Sequence, residues 1–370
     1  MAKCLIMGGC GFVGSHLVDK LVKDGHNVRV YDLLESQVHR GKKPSYLNEG
    51  AEYIFADIRN PTKLKKALSN IDIVFHLAAQ VGVGQSMYQI EKYVSHNSLG
   101  TAILLDLIIN TKNNIKKLLV ASSMSIYGEG AYSCKNCGIS YPQLREIEQL
   151  KQKQWEMRCP KCKEELDAMA TSEDKPLSPT SVYAITKRSQ EELCLGIGRA
   201  YKIPIVALRY FNVYGPRQSL NNPYTGVAAI FLSRVKNNRQ PLVFEDGRQS
   251  RDFIYVSDII DANILAMNEE ADYDFFNVGT QIPCSVLDVA ETIISLYKKN
   301  LTPKILDKFR AGDIRHCYAN TSKIAGKLGF KPKVSFKEGM KKLIEWSETQ
   351  EAHDFGEEAK LELEERKLIG

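Results

Sequence analysis

The sequence has no apolar run of 18 residues, so it offers no candidate for a membrane-spanning helix. Its first residues, MAKCLIMGGCGF, lack the charged region, apolar stretch and cleavage site of a secretory leader. The excess of positive over negative charge is also small. The net charge is only +6 over 370 residues, and the basic side chains are scattered. These absences predict a cytoplasmic protein with no membrane partner and no nucleic-acid-binding groove.

Cysteine is sparse outside one segment. Four of the nine cysteines lie in CKNCGISYPQLREIEQLKQKQWEMRCPKC, residues 134 to 162, and the other five are dispersed in apolar surroundings. An odd number distributed in this way argues against a disulfide framework and favours a metal site plus buried thiols. With 44% hydrophobic and 25% charged residues the chain can bury a substantial core, and its mild positive charge suits an anionic small molecule.

Short β-branched runs alternate with amphipathic stretches up to about residue 215, as in KCLIMGG, SHLVDKLVKDG and NVRVYDL. This alternation predicts βαβ units and an α/β fold, with a mostly parallel sheet covered by helices on both faces. After that point, shorter mixed elements rich in Gly, Pro and aromatic residues predict a smaller, substrate-facing subdomain. The acidic last 20 residues are interpreted as a solvated helix or a frayed tail.

A glycine-rich turn follows the first predicted strand. GGCGFVG places Gly8, Gly11 and Gly14 before a helix, where missing side chains let the backbone approach a pyrophosphate. Asp32 ends the next strand, where a carboxylate would bind the adenosine ribose and repel a 2′-phosphate. The pattern predicts NAD rather than NADP, with a ligand-free turn as the alternative. Asp57, after the third strand, could touch the adenine or cap the helix that starts near Pro61.

A candidate chemical centre lies in SVYAITK, where Tyr183 and Lys187 are four residues apart and share a helix face. A tyrosine is a poor base at pH 7, but a nearby lysine ammonium and a cationic nicotinamide would stabilise its phenolate. The strand LLVASS ends in Ser122 and Ser123, whose hydroxyls could bind a substrate oxygen at the carboxyl edge of the sheet. His76, within a strand, is interpreted as a core residue.

Together these motifs resemble the extended short-chain dehydrogenases/reductases of the nucleotide-sugar epimerase and dehydratase group. The resemblance extends from residue 8 to residue 316 and also includes DIVFHLAAQ, NSLGT, SSMSIYG, RYFNVYGPR, GRQSRDFIYVSD and RAGDIRH. It implies a Rossmann-type doubly wound sheet, NAD as cofactor, a dTDP- or UDP-hexose as substrate, and a homodimer. Residues 1–129 and 168–215 are expected to form the NAD-binding domain, with residues 130–167 as an insertion into it. Residues 216–350 are expected mainly to bind the nucleotide sugar, although some of their segments could return to the sheet. Residues 351–370 are expected to form a tail.

The resemblance assigns roles position by position. Ser123 would orient the sugar oxygen, Tyr183 would act as acid and base, and Lys187 would bind the ribose and activate the tyrosine. The residues it places at the cofactor, besides Tyr183 and Lys187, are Gly8, Gly11, Phe12, Val13, Asp32, Asp57, Ile58, Ala78, Ala79 and Gln80. The residues it places at the substrate, besides Ser123, are Ser86, Asn212, Arg251, Arg310 and Asp313.

Ion pairs are the alternative role for both arginines. Arg251 could pair with Asp252 or Asp258, and Arg310 with Asp313. Two arginines nevertheless suit a diphosphate, because each guanidinium presents a fixed fork of donors.

Several reactions are compatible with this centre. Oxidation of a sugar hydroxyl followed by hydride return on the other face gives epimerisation. The dehydratases of the group carry Asp-Glu after the catalytic hydroxyl residue, whereas this chain has Met124 and Ser125, which disfavours dehydration. A ketoreductase or a decarboxylase stays open, as does a non-enzymatic dinucleotide sensor that docks through the cysteine segment. The motifs look most like those of dTDP-L-rhamnose 4-epimerases, which form dTDP-6-deoxy-L-talose.

The cysteine pairs lie within an insertion, because 59 residues separate Ser123 from Tyr183, more than most of the family has there. Two Cys-x-x-Cys turns suit tetrahedral Zn²⁺, with ligands Cys134, Cys137, Cys159 and Cys162. Four thiolates leave no open position, so the predicted role is structural. From position 134 to 165 there are seven basic and five acidic residues. This balance is too even to favour nucleic-acid binding by the insertion. A role as a lid over the sugar pocket or as an intersubunit contact is favoured instead.

Overall fold

Sixteen strands and fourteen α-helices are described in the computed structural model, which covers residues 1–224, 226–269 and 271–370. The strands are Lys3–Met7 (β1), Asn27–Asp32 (β2), Ala51–Phe55 (β3), Ile73–His76 (β4), Lys117–Ser123 (β5), Ala131–Cys134 (β6), Gly138–Ser140 (β7), Asp167–Met169 (β8), Ile205–Tyr210 (β9), Asn212–Tyr214 (β10), Leu242–Val243 (β11), Ser250–Tyr255 (β12), Asp274–Val278 (β13), Pro283–Ser285 (β14), Lys304–Ile305 (β15) and His316–Cys317 (β16). The α-helices are Phe12–Lys23 (α1), Ser36–His39 (α2), Pro61–Ala67 (α3), Val83–Ser86 (α4), Ile90–Tyr93 (α5), Gly100–Asn110 (α6), Ile147–Lys151 (α7), Val182–Tyr201 (α8), Val227–Lys236 (α9), Val256–Asn268 (α10), Val286–Tyr297 (α11), Ser322–Leu328 (α12), Phe336–Ser347 (α13) and Gly356–Glu365 (α14).

The central sheet has seven parallel strands in the order β13-β9-β5-β4-β1-β2-β3. This is the doubly wound Rossmann arrangement that the alternating pattern predicts. The strand order reverses between β1 and β4, and ligands of such sheets bind in the crevice at that reversal. Strand β13 joins the sheet beside β9, so part of the chain beyond residue 216 does return to it.

The sheet is buried on both faces. Successive residues of β1 alternate between two apolar clusters, with Cys4 and Ile6 in one and Leu5 and Met7 in the other. Such alternation follows from the two-residue period of a strand. Helix α1 packs on the first face and α6 on the second, which explains why the strands are continuous apolar runs.

The C-terminal subdomain is a smaller layer beside the carboxyl edge of that sheet. Strand β12 pairs with β10, β14 and β16, and a separate two-stranded sheet joins β11 and β15. Helices α9, α11 and α13 contribute to one apolar cluster with β10 and β12. No described helix is both long enough and apolar enough to cross a membrane.

The insertion folds as a separate small unit, here called the four-cysteine module and defined as residues 130–167. Strands β7, β6 and β8 form an antiparallel sheet, and α7 lies between the two cysteine pairs. Its small core includes Tyr132, Met157 and Leu166 next to the cysteines. Trp155 and Leu150 pack instead on Phe309 of the C-terminal subdomain, so the module rests on the substrate-facing half of the protein.

Candidate active site

A cavity of about 690 Å³ opens at the carboxyl ends of β1, β4 and β5. It extends from the glycine-rich turn to the C-terminal subdomain. The predicted site residues that line it are Gly8, Gly11, Phe12, Val13, Asp32, Ile58, Ala78, Ala79, Gln80, Ser123, Tyr183, Asn212, Arg251, Arg310 and Asp313. Asp57, Ser86 and Lys187 are not among its lining residues, and their surroundings are described below.

The glycine-rich turn needs its glycines for steric reasons. Gly8 has φ +83°, and a Cβ there would lie 2.8 Å from the backbone nitrogen of Ala78. A Cβ on Gly14 would lie 2.1 Å from the carbonyl oxygen of Gly8. Gly11 immediately precedes α1, whose first backbone N–H groups face the cavity end of the turn. The turn is therefore a compact cradle at a helix N-terminus, the setting in which pyrophosphates bind.

Asp32 is fixed at the cavity wall by the backbone. Its carboxylate accepts hydrogen bonds from the N–H groups of Cys10, at 2.9 Å, and Leu34, at 2.8 Å. These bonds hold the carboxylate at the end of β2, beside the turn. A fixed negative charge here suits a ribose diol and disfavours a phosphate on the same ribose.

Asp57 is engaged by charged neighbours. Its carboxylate lies 2.7 Å from the Arg59 guanidinium and 3.7 Å from Nε2 of His96. Burial would raise the pKa of Asp57, but hydrogen bonds from Arg59 hold it below its ordinary value. Asn60, not Asp57, caps α3 by accepting a hydrogen bond from Lys63, so the alternative cap role of Asp57 is wrong. The neighbouring Ile58 lines the cavity.

The segment after β4 is tied to the catalytic helix through Asn97. The Asn97 side chain accepts from the Gln80 N–H at 2.7 Å, donates to the Gln80 carbonyl at 3.0 Å, and donates to Thr186 at 2.9 Å. Asn97 is fully buried. It therefore fixes the cofactor-side segment relative to α8, a role that the sequence analysis did not assign even though NSLGT is one of its motifs.

Ser123 and Tyr183 meet at the cavity, one at the end of β5 and the other in the first turn of α8. The Ser123 oxygen accepts hydrogen bonds from the N–H and the hydroxyl of Ser125, at 3.2 and 2.9 Å. Burial raises the pKa of Tyr183, and its hydrogen bond with Ser123 opposes that rise. Ser181 caps the helix, which fixes the direction of this first turn.

Lys187 lies one helical turn after Tyr183 and is buried. Burial lowers its pKa to about 8. Its ammonium donates a hydrogen bond to Oε1 of Gln190 at 2.9 Å. The hydrogen bond to Gln190 holds the Lys187 ammonium within the buried interior, one helical turn from Tyr183.

Gln190 links that lysine to the core. Its Nε2 lies 2.9 Å from the Thr101 hydroxyl and 3.1 Å from Nε2 of His76. Burial lowers the pKa of His76 to about 3, so this histidine is neutral and serves as a packed core residue, as the sequence predicts. Gln190 thereby positions Lys187, and the sequence gives no signal for this contact, because a glutamine three residues after a lysine is common on helices.

Ser86 supports the catalytic helix rather than the cavity. It is fully buried, donates a hydrogen bond to the Val83 carbonyl at 2.6 Å, and accepts one from the Tyr183 N–H at 3.0 Å. The contact of Ser86 with the hexose stays a prediction, and Ser86 is not among the residues that line the cavity. The hydroxyl is used within the protein because α4 packs directly against the N-terminus of α8.

Asn212, Arg251 and the RAGDIRH loop, residues 310–316, lie at the opposite end of the cavity from the glycines. The side-chain oxygen of Asn212 is buried and has no hydrogen-bond partner among the described residues. Arg251 donates to the carbonyls of Ser250, Ile314 and Arg315, at 2.7 to 2.9 Å.

The alternative ion pairs have different outcomes at the two arginines. Asp252 instead accepts hydrogen bonds from the segment that follows β13, including both the N–H and the hydroxyl of Thr280. Asp258 accepts one from the N–H of Val334, so neither predicted pair with Arg251 is formed. Arg310 does pair with Asp313 at 2.7 Å and remains partly exposed.

The four cysteines lie together outside this cavity. Their sulfur atoms are all within 4.8 Å of one another, and those of Cys134 and Cys162 are 3.4 Å apart without a disulfide. Four sulfur atoms bound to one zinc ion at about 2.3 Å would lie about 3.8 Å apart. The donor set therefore fits a tetrahedral metal site, and its thiols fill every position of such a site.

A buried ionic cluster joins the four-cysteine module to the protein beside the RAGDIRH loop. Arg145 of the module pairs with Glu245 at 2.8 Å and also donates to the carbonyls of Trp155 and Asp313. Arg315 of the loop pairs with the same Glu245 and with Glu156 of the module. The loop that carries Arg310 is thus packed directly against the insertion.

Known proteins share this arrangement. The profile of the NAD-dependent epimerase/dehydratase family matches residues 4–146 and 159–279, which include the glycine turn, Ser123, Tyr183 and Lys187. The chain belongs to this family. Members are NAD-dependent nucleotide-sugar epimerases and related enzymes, and this protein is accordingly an enzyme of that kind.

Relatives in the family have several activities. A dTDP-L-rhamnose 4-epimerase of Burkholderia thailandensis is 33% identical, over 93% of this chain and 94% of that protein. A UDP-N-acetyl-alpha-D-glucosaminuronate decarboxylase of Bacillus cytotoxicus is 31% identical, over 93% of this chain and 97% of its own length. The UDP-glucuronic acid 4-epimerase of Bacillus cereus, solved with UDP-glucuronic acid and NAD, has a TM-score of 0.77 and 29% identity over 94% of this chain and 99% of that one.

The family match also delimits the insertion. Its gap, residues 147–158, lies between the two cysteine pairs and includes α7 and Trp155. This part of the module therefore has no counterpart in the family profile, although the surrounding strands lead back into it. The match includes the glycine turn and also Asn212 and Arg251, whereas α7 and Trp155 of the module lie outside it.

Proposed function

We propose that the protein is an NAD-dependent 4-epimerase of nucleoside-diphosphate sugars. The observation that carries this proposal is the meeting of Ser123 and Tyr183 at one cavity wall, with Lys187 one turn after Tyr183 on the same helix. Arg251 and Arg310 line the other end of the same cavity. The arrangement offers an acid–base centre for a sugar hydroxyl and guanidinium donors for a diphosphate tether.

In this mechanism NAD, when bound, supplies the acceptor and later the donor of a hydride. Ser123 orients the sugar C4 hydroxyl, and the Tyr183 phenolate takes its proton as the carbon is oxidised. The Lys187 charge stabilises the phenolate before that transfer. While the diphosphate stays bound, the keto-sugar turns, and Tyr183 returns the proton to the C4 oxygen after hydride arrives on the opposite face.

The geometry favours epimerisation over dehydration. Met124 and Ser125 follow Ser123, and neither can act as the additional acid and base that loss of water requires. The substrate pair proposed is dTDP-L-rhamnose and dTDP-6-deoxy-L-talose, supported by the relative from Burkholderia thailandensis. A decarboxylase is the second candidate, since the relative from Bacillus cytotoxicus carries that name.

The decisive test combines a product assay with one variant. Wild-type protein is incubated with dTDP-L-rhamnose and with a panel of UDP-, dTDP-, GDP- and CDP-sugars, and C4 stereochemistry is read by NMR. Epimerisation produces the C4 epimer with no net NADH and no CO₂, whereas a reductase changes NADH and a decarboxylase releases CO₂. Tyr183→Phe should lower turnover by about 10²–10⁴-fold while leaving nucleotide-sugar binding intact.

Tyr201→Phe is the matched control for that variant. It makes the same chemical change at an exposed position at the end of the same helix, α8. Its turnover should equal that of wild type. Full turnover by Tyr183→Phe would contradict the proposed mechanism, and equal losses in both variants would point to damage to the helix instead.

We further propose that the four-cysteine module binds one structural zinc ion. Its ligands would be Cys134, Cys137, Cys159 and Cys162, whose sulfur atoms already cluster around one point. The module buries only a small apolar core of its own, so a metal would replace the missing packing. Free thiols throughout the described chain agree with the reducing cytoplasm, where we propose the enzyme acts.

We also propose a homodimer formed through α8. Ile185 and Leu193 expose apolar surface on this helix, and Val94 and Leu99 do so on the π-helical segment Val94–Leu99. A shallow groove follows α8 between Ile185 and Ile197. A second copy of the chain would cover this surface, which is otherwise unusually apolar for a protein exterior.

A further inference from the structure

The C-terminal segment, residues 356–370, begins with a helix, as one of the two sequence interpretations has it, but one face of that helix packs on the protein. It forms α14 and then pairs with the RAGDIRH loop through its backbone. The N–H of Ala311 donates to the Leu368 carbonyl at 2.9 Å, and Phe309 and Gly370 exchange hydrogen bonds of 3.2 and 3.0 Å. Ala359 and Leu363 of the helix are buried. Some of its acidic side chains face the protein, since Glu357 pairs with Arg234 and Glu362 accepts a hydrogen bond from Tyr224.

The same segment lines the cavity that contains Tyr183. Its lining residues are Gly356, Ala359, Lys360, Leu363 and Leu368. A Cβ added to Gly84 would lie 3.6 Å from Leu363, so the segment also reaches helix α4, which packs against α8. The cavity is therefore bounded on one side by the Rossmann domain and on another by the C-terminal end of the chain.

Side-chain contacts attach the segment to two further loops. The hydroxyl of Tyr224 donates to Glu362, and the hydroxyl of Tyr88 donates to that of Tyr224 at 2.7 Å. The Arg366 guanidinium lies 4.0 Å from the centre of the Tyr88 ring. Lys308, just before the RAGDIRH loop, pairs with Glu364 at 2.8 Å. These contacts hold the segment across the mouth of the cavity.

Charge on the inner face of the segment suits a diphosphate. Lys360 lines the cavity and is 3.8 Å from Glu364, a longer distance than that of the Lys308 pair with the same carboxylate. Arg251 and Arg310 line the same cavity. Arg217 and Arg234 also line it. A further cation in this space would interact with the phosphate charge, and the apolar side chains beside it would keep water away.

Resting on the proposed function, we infer that residues 356–370 form a closing wall of the nucleotide-sugar site and that Lys360 binds the substrate diphosphate. An epimerase needs a closed substrate site in particular, because the keto-sugar must turn inside the site without dissociating. The segment would hold it there by covering the cavity while the diphosphate remains bound. NAD lies at the glycine-rich end, so its binding should not depend on the segment.

The test measures, by calorimetry, the binding of UDP, dTDP and NAD to three full-length proteins and one truncated protein. They are wild type, a chain ending at Phe355, Lys360→Gln, and Lys367→Gln as a control that removes an equal charge from an exposed position of the same segment. The truncated chain should bind the better nucleoside diphosphate about tenfold more weakly, and Lys360→Gln at least about threefold more weakly. Lys367→Gln should bind it as wild type does, and NAD affinity should stay constant throughout.

A second readout follows the fate of the keto-sugar. If the keto-sugar leaves before it takes hydride back, the cofactor remains as NADH. The truncated enzyme should therefore accumulate bound NADH during turnover, measured at 340 nm. Unchanged diphosphate affinity in Lys360→Gln would overturn the role of that lysine, even if the truncated chain failed to fold. Wild-type protein that binds neither diphosphate would instead contradict the proposed function and, with it, this inference.

Discussion

Replacing Arg145 by methionine should weaken both the attachment of the four-cysteine module and the substrate side of the site. The Arg145 side chain is 1% exposed and that of its partner Glu245 is 3% exposed. Arg145 also donates to the carbonyls of Trp155, at 2.9 Å, and Asp313, at 3.3 Å. Methionine has a similar length and can fill the space but supplies none of these donors.

The expected loss can be estimated from the burial of the pair. Removing one partner of a buried ion pair costs about 3–5 kcal/mol, because it leaves an uncompensated charge. Glu245 keeps Arg315 as a second partner at 2.9 Å, so the loss should be at the lower end of that range, about 3 kcal/mol. The Asp313 carbonyl loses a donor at the same time, which should raise the KM for the nucleotide sugar.

Lys153→Met is the matched control, since Lys153 also pairs across the module boundary, with Asp307 at 2.9 Å. Both of those side chains are more than half exposed, so the change should cost at most about 1 kcal/mol. Urea unfolding would be followed by circular dichroism and by tryptophan fluorescence, which includes the signal of Trp155 in the module. Equal stability of the Arg145 and Lys153 variants would refute the reasoning.

Three further results are expected. Removing metal from the four-cysteine module with a chelator should lower the melting temperature and weaken dTDP or UDP binding but not NAD binding; an unchanged melting temperature would argue against a structural metal. Burial lowers the pKa of Lys187 from 10.5 to about 8. Below pH 8 the buried side chain is charged in the folded protein, which lowers the free energy of unfolding. This destabilisation disappears as the pH rises to 10.5. The stability of Lys187→Met relative to wild type should therefore fall between pH 8 and 10.5, and a constant difference in unfolding free energy would contradict the burial argument. Ile185→Glu should convert a dimer into monomers in light scattering, whereas an unchanged mass would place the interface elsewhere.

Much of the cofactor end was predictable because its determinants are local. The glycine turn needs close approaches between Gly8, Gly14 and the chain around them, and this requirement is visible as spacing in the sequence. Tyr183 and Lys187 share a helix face because of the helical period alone. The alternating apolar runs similarly predict the parallel sheet, since each strand is buried on both sides.

Other positions depended on contacts between distant segments. Ser86 has a hydroxyl suited to a sugar, yet α4 packs against α8 and the hydroxyl binds the backbone of Tyr183 instead. The amide of Asn97 binds Thr186 of α8, and the amide of Gln190 binds Lys187 and the core. Only the tertiary structure shows these contacts between separate elements. Polar side chains of this kind can serve a ligand or the protein interior, and their type and spacing do not distinguish these uses.

The sequence by itself determined the βαβ order, the glycine cradle, the tyrosine–lysine pair and the close cysteine pairs, because each depends on neighbours within a few residues or on a regular period. The tertiary structure alone decided that the acidic tail lines the cavity through Leu363 and Leu368, and that Arg145 contacts the RAGDIRH loop. Those contacts join residues that lie far apart in the sequence. Their formation depends on how the whole chain packs, which no local pattern records.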